Sequence, residues 1–252
     1  MYYVGIDIGS TAAKVVVRGA SCAQFVLPTG WNCKQTAQSI RERLAELGID
    51  VYDRNVRVVA TGYGRVSVDF ADKAMTEITC HARGGYGLVK QDCTIIDVGG
   101  QDTKVIGVKN GDVTGFIMND KCSAGTGKFV EIMANRLGVT IDELFELAAG
   151  GRILALSSLC TVFAESELIN YIGEGRPRED LAAGIIDSVV SKVSLLCGRQ
   201  KIEGQAVLTG GFCESAYFIK QLESRLKTRV AASPLGRYTG ALGAAQIAQE
   251  MG

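Results

Sequence analysis

The chain has 252 residues, of which 47% are hydrophobic, and its 27 basic and 27 acidic residues give a formal net charge of zero. This length provides enough apolar residues for one large domain or two small ones. Proteins that bind nucleic acids or membrane surfaces usually carry a basic excess, so the balanced charge argues against both partners. No apolar run approaches the length of a membrane span and no signal-peptide pattern opens the chain, so we expect a cytoplasmic protein.

Apolar, β-branched stretches predict four strands in the first part of the chain, and helical spacing predicts two helices. The predicted strands cover residues 2–9, 13–19, 22–28 and 56–62. The predicted helices cover residues 36–48, where Gly48 ends the apolar spacing, and residues 78–89.

The same pattern restarts near residue 94 and then becomes mostly helical. Residues 94–100 and 102–118 predict strands, with a hairpin turn at Asn110–Gly111. A late strand is expected over residues 206–211. The predicted helices cover residues 129–138, 141–150, 181–200, 218–226 and 240–251.

Three strands, a helix and a further strand therefore occur twice in the chain, with a period of roughly ninety residues. An internal repeat of this kind predicts an α/β protein with two similar lobes and a cleft between them. We expect a first lobe over residues 1–90 and a second lobe over residues 91–239. A C-terminal helix over residues 240–252 is expected to pack back on the first lobe.

Each repeat opens with the same eight-residue pattern, DIGSTAAK at 7–14 and DVGGQDTK at 97–104. Glycine-rich turns offer backbone N–H groups to an anion, so two such turns could grip a polyphosphate. Asp7 and Asp97 would flank a bridging Mg²⁺ through water molecules, because Mg²⁺ takes only one or two carboxylates. Gln101 could orient the attacking water. The simpler alternative for each turn is an ordinary β-turn, in which aspartate is also favoured.

Lysine occupies the eighth place of both patterns, as Lys14 and Lys104. These side chains could neutralise phosphate charge, or they could be plain surface lysines at the start of a strand. The segment GTGKF at 125–129 resembles the end of a Walker-type P-loop, but it lacks the upstream glycine and the Ser or Thr after the lysine.

Two of the eight cysteines stand out by their positions. Cys122 and Cys160 each precede an apolar-periodic helix, and a helix N-terminus favours the thiolate that an iron–sulfur cluster needs. A [4Fe–4S] cluster usually takes four cysteines, so a symmetric dimer could share one cluster on its two-fold axis. The alternative is two buried structural cysteines. That role is also expected for Cys22, Cys33, Cys80, Cys93 and Cys197.

The segments DIGST, DVGGQD and LTGG resemble the first phosphate, second phosphate and adenosine motifs of the actin, Hsp70 and sugar-kinase ATPases. The resemblance implies two RNase-H-like lobes with a nucleotide cleft between them, and it implies that the segment 208–215 holds the ribose and adenine. The expected nucleotide-binding residues are Gly9, Ser10, Thr11, Ala12, Ala13, Lys14, Gly99, Gly100, Gln101, Gly125, Thr126, Gly210, Gly211 and Phe212. The turn after the glycines reads FCES, where many relatives have an asparagine, and Cys213 is taken as incidental.

Nearly the whole chain also resembles the activator ATPases of 2-hydroxyacyl-CoA dehydratases and benzoyl-CoA reductases. The motifs that carry this resemblance are GIDIGSTAAK, ATGYGR, ADKAMTEITCHA, DVGGQDTKVI, NDKCSAGTGKF and CTVFAESE. The resemblance implies a homodimer that holds one oxygen-sensitive [4Fe–4S] cluster at Cys122 and Cys160, and that binds ATP or ADP with Mg²⁺. It further implies loading by reduced ferredoxin or flavodoxin. ATP hydrolysis would then drive one low-potential electron to a partner iron–sulfur dehydratase or reductase.

Two other functions remain open from the residues themselves. A small-molecule kinase of the same fold would need a substrate pocket and an aspartate base. A nucleotide-dependent switch would bind ATP without iron. The kinase would leave the two cysteines that precede helices unexplained.

Overall fold

A computed structural model describes residues 1–156 and 160–252 of the chain, and in this part ten strands form two five-stranded sheets. The strands are β1 Tyr2–Ile8, β2 Ala12–Gly19, β3 Ala23–Pro28, β4 Val56–Thr61, β5 Lys73–Ala74, β6 Cys93–Val98, β7 Thr103–Lys109, β8 Asp112–Asn119, β9 Gln205–Gly210 and β10 Val230–Ala232. The α-helices are α1 Cys33–Glu46, α2 Glu77–Val89, α3 Gly127–Leu137, α4 Ile141–Gly150, α5 Thr161–Gly173, α6 Arg178–Cys197, α7 Ala216–Leu226 and α8 Thr239–Glu250.

The two sheets have the same strand order. The first runs β3-β2-β1-β4-β5 and the second runs β8-β7-β6-β9-β10, so each strand of one repeat has a counterpart at the same place in the other. In the first sheet, β1 pairs antiparallel with β2 and parallel with β4. The edge strands β5 and β10 escaped prediction because two or three residues are too few to show an apolar period.

The repeats differ in what separates their third and fourth strands. The first repeat has only α1 between β3 and β4, whereas the second has α3, α4, α5 and α6 between β8 and β9. Both of the singled-out cysteines lie in this helical insertion, since Cys122 precedes α3 and Cys160 precedes α5.

Helix α1 shows how local sequence sets the boundaries of an element. It begins at Cys33 rather than at residue 36, because the side chain of Asn32 caps the first turn by accepting from the Lys34 N–H at 2.9 Å. Its buried residues recur at helical spacing and face the first sheet's core. They are Thr36, Ala37, Ile40 and Leu44. Gly48, with φ of 76°, follows its end as expected.

The described chain forms two compact units. Unit 1 comprises Met1–Ile95, Ile106–Gly115 and Leu235–Gly252, and unit 2 comprises Ile96–Val105 and Phe116–Pro234. Within the described ranges, none of the helices combines the length and the apolar character that crossing a bilayer requires.

Helix α8 packs closely within unit 1, against α2 and the strands β1 and β4. The approach depends on glycine. An added side chain at Gly5 would overlap the backbone of Ala241, and one at Gly243 would overlap the backbone of Cys80. This packing places the first turn of α8 beside the end of β1, where Asp7 lies.

Candidate functional site

The turn between β1 and β2 carries the first predicted phosphate-binding residues. Gly9 N–H donates to the Ala12 carbonyl at 3.2 Å and closes the turn. Thr29 then fixes the turn from the side, because its hydroxyl donates to the Gly9 carbonyl at 2.7 Å and its N–H donates to the Thr11 carbonyl at 3.1 Å. The predicted residues from Gly9 to Lys14 thus form a single braced hairpin, with Thr11 exposed at its tip.

Asp7 lies in β1 just before this turn and is 7% exposed. Among residues 1–156 and 160–252, no hydrogen bond or ion pair joins its carboxylate to another side chain. Glycines line both of its oxygens: an added Cβ at Gly62 would overlap Oδ1, and one at Gly240 would lie 2.6 Å from Oδ2. The same position at Gly240 is 3.1 Å from Nε2 of His81. A nearly buried carboxylate with a glycine beside each oxygen, where a larger residue would not fit, is compatible with a water-mediated ligand of Mg²⁺.

The second predicted phosphate-binding turn lies between β6 and β7. Gly99 N–H donates to the Asp102 carbonyl at 2.9 Å, the counterpart of the bond that closes the first turn. Gly99 and Gly100 are half-buried, whereas Gln101 is exposed. An exposed amide at this turn is available to a bound ligand, as the predicted role of Gln101 requires.

Asp97, the counterpart of Asp7, has a different environment. The hydroxyl of Thr209 donates to its Oδ1 at 2.7 Å, and Nζ of Lys104 lies 3.6 Å from its Oδ2. Lys104 also forms an ion pair of 2.7 Å with Oδ1 of Asp102. Lys104 is only 3% exposed, so the surface alternative considered for this lysine is wrong. The sequence patterns did not single out Thr209 or Asp102, although both belong to motifs that were recognised.

The predicted nucleoside-binding turn follows β9. Gly210 has φ of 88°, and an added Cβ there would overlap the carbonyl of Val98, while Gly211 N–H donates to that carbonyl at 3.3 Å. The Phe212 ring packs with Phe145 and Phe218 at centroid distances of 5.3 Å in both pairs. Since Phe212 is 4% exposed, its backbone rather than its side chain is available to a ligand.

The two singled-out cysteines lie on neighbouring loops of unit 2. Cys160 is the N-cap residue of α5, and Cys122 lies in the loop that leads to α3. Their next residues are in contact, because the hydroxyls of Ser123 and Thr161 form a hydrogen bond of 2.8 Å. Both cysteines are half-buried free thiols. Residues 157–159, which open the motif around Cys160, lie outside the described residues.

The loop that carries Cys122 is joined to the second phosphate-binding turn. The N–H groups of Gly127 and Lys128, at the start of α3, donate to the carbonyls of Gly99 and Gly100 at 2.9 and 2.7 Å. The Thr103 hydroxyl donates to the Gly125 carbonyl at 2.8 Å. Gly127 and Lys128 therefore join the start of α3 to the turn, and Gly125 joins the cysteine loop to Thr103, the first residue of β7. The first two bonds tie the turn directly to the start of α3.

The same loop is also braced internally. The Thr126 hydroxyl donates to the Ser123 carbonyl at 2.6 Å, and the side-chain amide of Asn119 donates to the Cys122 carbonyl at 2.9 Å. Ser123 thus links three parts of unit 2: the start of α3, the cysteine loop and, through Thr161, the start of α5.

The other cysteines have mainly structural environments. Burial raises the pKa of the Cys80 and Cys93 thiols to about 11 and that of Cys197 to about 12, which keeps them protonated. Cys213 is also buried. Cys22 differs from the expectation, because it is exposed in the turn between β2 and β3.

One chain supplies two candidate cluster ligands. In the part of the chain that the structure describes, no group of three or more His, Cys, Asp or Glu side chains is arranged to hold a metal ion. A pair of half-buried thiols on adjoining loops fits half of a four-cysteine site, and it does not fit a complete one.

The repeated sheets and paired acidic turns define the class of the protein. A glucokinase of the ROK family from Streptomyces griseus aligns with 99% of this chain and 100% of its own, with a TM-score of 0.61 at 14% identity, a likeness that shows the fold. This confirms the expected α/β fold of the actin-like ATPases and sugar kinases. The chain belongs to the BadF/BadG/BcrA/BcrD ATPase family, whose model matches residues 4–248.

Two relatives are similar to this chain over nearly their whole length. The (R)-2-hydroxyglutaryl-CoA dehydratase activating ATPase of Acidaminococcus fermentans is 43% identical over 98% of this chain and 97% of its own. The activator of 2-hydroxyisocaproyl-CoA dehydratase from Clostridium difficile, solved with bound ADPNP, has a TM-score of 0.90 and 36% identity over 100% of this chain and 97% of its own. The family resemblance predicted from the motifs is therefore confirmed.

Proposed function

We propose that this chain is an ATPase that activates a partner iron–sulfur dehydratase or reductase by delivering one low-potential electron to it. The activator names of its relatives support the partner class, and the relative solved with ADPNP supports nucleotide binding. The observation that carries the electron-transfer part is the bonded connection from the second phosphate turn through α3 and Ser123 to the loops of Cys122 and Cys160.

The nucleotide roles follow from the two turns. The backbone N–H groups of the turns that begin at Gly9 and Gly99 bind phosphate oxygens, and Asp7 and Asp97 hold the hydrated Mg²⁺. Gln101, which is exposed at its turn, orients the attacking water. The Gly210–Gly211 turn accommodates the nucleoside through its backbone, because the Phe212 ring is committed to the core.

The cluster roles follow from the two thiols. Cys122 and Cys160 of two copies together hold one [4Fe–4S] cluster, which makes the active form a homodimer. When bound, the cluster supplies one-electron chemistry at low potential. The chain's own contribution is positional: the starts of α3 and α5 orient the thiols, and the second phosphate turn is bonded to α3. Ferredoxin or flavodoxin is the proposed electron donor.

Iron and acid-labile sulfide per chain test the proposal on protein purified without oxygen. A shared cluster predicts about two irons and two sulfides per chain. Cys122→Ser and Cys160→Ser should each abolish iron binding while ATP binding persists. Cys22→Ser is the matched control, because this exposed thiol lies in unit 1 and should leave the iron content unchanged.

Two outcomes would contradict this function. Full iron content in both serine variants would exclude these cysteines as ligands. ATP binding without iron under strict anaerobic handling would instead favour a kinase or a nucleotide-dependent switch of the same fold.

A further inference from the structure

Asp97 has a hydrogen-bond donor at one carboxylate oxygen and an ammonium group near the other. The Thr209 hydroxyl reaches Oδ1 at 2.7 Å, and the Lys104 ammonium lies 3.6 Å from Oδ2. Asp97, Thr209 and Lys104 are all buried, so these electrostatic contacts are little screened by solvent. A hydrogen bond at one oxygen and an ion-pair partner near the other favour one orientation of a carboxylate, whose last torsion is otherwise broad.

Thr209 brings a second part of the protein into this contact. It is the residue before Gly210 in β9, and it is completely buried. The turn that follows is held against β6, because Gly210 has room only for a hydrogen beside the Val98 carbonyl. Asp97 and the start of the nucleoside turn are thus joined by one side-chain bond, although they lie 112 residues apart.

Lys104 acts as an internal counter-ion shared by two carboxylates. Its ammonium pairs with Asp102 at 2.7 Å as well as lying near Asp97. Gly99 makes this arrangement possible, since an added Cβ there would lie 2.5 Å from Oδ1 of Asp102. Lys104 therefore pairs with two carboxylates of the protein itself, Asp97 and Asp102.

We propose that Thr209 and Lys104 are positioning residues, which fix the orientation in which Asp97 presents its carboxylate to the hydrated Mg²⁺ of bound ATP. This inference rests on the proposed ATPase function. It adds that the strand leading to the nucleoside turn takes part in the hydrolytic step through the Thr209 hydroxyl. Loss of an outer partner of a metal-binding group typically costs about 10- to 100-fold in metal affinity or activity.

Thr209→Val is the principal test, because valine keeps the shape of a fully buried threonine and removes only the donor. We expect kcat for ATP hydrolysis to fall about 10- to 100-fold. The KM for ATP should change much less, since the nucleoside turn keeps its backbone contacts. Thr209→Ser restores the hydroxyl and should recover most of kcat. Ser188→Ala, which removes another buried hydroxyl of unit 2, should retain wild-type kcat.

A second measurement does not depend on turnover. The affinity of each ADP-bound variant for Mn²⁺, measured by electron paramagnetic resonance, should fall about 10- to 100-fold in Thr209→Val and recover in Thr209→Ser. Lys104→Met should weaken Mn²⁺ binding in the same direction, provided that circular dichroism shows it to be folded.

The outcomes separate this inference from the proposed function. Wild-type rates and Mn²⁺ affinity in Thr209→Val, together with loss of hydrolysis in Asp97→Asn, would overturn the positioning role and leave the ATPase intact. Equal losses in Thr209→Val and Thr209→Ser would show that packing rather than the hydroxyl matters, and would also overturn it. Full hydrolysis in Asp97→Asn would instead contradict the proposed role of Asp97 itself.

Discussion

The two repeats hold equivalent aspartates in opposite ways. Asp7 has a glycine beside each oxygen, and no side chain in the described part of the protein bonds to it, whereas Asp97 is held by a hydroxyl and a buried ammonium. The lysines at the eighth place of the two motifs differ accordingly, because Lys14 is half-buried beside its own turn and Lys104 is buried with two acids. Two repeats with the same strand order can therefore surround equivalent charged residues with different partners. The first repeat provides a carboxylate surrounded by glycines, and the second provides one that a hydroxyl and an ammonium contact.

The largest expected loss of folding stability comes from removing the buried lysine of the second repeat. Lys104→Met leaves Asp97 and Asp102 without their counter-ion, and removal of one partner of a buried ion pair costs about 3–5 kcal/mol. Lys14→Met at the equivalent position should cost about 0.5 kcal/mol or less, as for substitutions away from buried ion pairs. Urea unfolding of both variants measures the difference. Equal losses would mean that the two lysines are equivalent after all.

The next effect should come from filling the space around Asp7. The methyl group of Gly240→Ala would lie 2.6 Å from Oδ2, so either the carboxylate or α8 must shift. Overpacking of this kind costs about 1–3 kcal/mol. We also expect reduced ATP hydrolysis, because the displaced group is the proposed Mg²⁺ ligand.

Gly87→Ala is the matched control for this change. Gly87 lies in α2 and its nearest neighbour would be 3.5 Å from an added Cβ, so alanine should stabilise the helix by about 0.5–1 kcal/mol. Thermal melting and hydrolysis rates of both variants check the pair. Unchanged activity in Gly240→Ala would show that the room around Asp7 is dispensable.

A smaller effect is expected in the segment that only the second repeat possesses. Ser123→Ala removes the bond to Thr161, and a single hydrogen bond contributes about 1 kcal/mol. Looser cysteine loops should speed the release of iron to a chelator. Ser166→Ala, whose hydroxyl bonds to the Val162 carbonyl one turn earlier in α5, should release iron at the wild-type rate. Identical rates in both variants would show that the two loops hold their thiols independently.

The smallest effect concerns two buried thiols of unit 1, Cys80 and Cys93. With a pKa of about 11, roughly one in a thousand Cys80 or Cys93 side chains is thiolate at pH 8, so both should resist iodoacetamide in the folded protein. Cys22 is exposed and should be alkylated. Peptide mass spectrometry after timed alkylation measures this, and rapid labelling of Cys80 without unfolding would contradict the buried environment.

Much of the architecture could be predicted because its signals are local. Strands ending in Asp-x-Gly turns, the helical spacing of α1 and the restart of the pattern near residue 94 indicated two similar α/β lobes. The placement of Cys122 and Cys160 ahead of helices was equally readable, since a helix start depends on a few neighbouring residues. The amino-acid sequence by itself thus determined the repeat, the two turns and the candidate ligands.

Only the tertiary structure decided what each candidate touches. Thr209 forms a hydrogen bond with Asp97, and Ser123 forms one with Thr161. The residues of each pair are too far apart in the sequence for a local pattern to predict the contact. Whether Lys104 is a surface lysine or a buried counter-ion depends on how strands pack, and a single lysine in a motif is compatible with both. Hydrophobic periodicity predicts which face of a strand or helix a residue occupies. The residue that it contacts across the fold depends on tertiary packing. For Asp7 and Asp97, those contacts determine how each carboxylate is held.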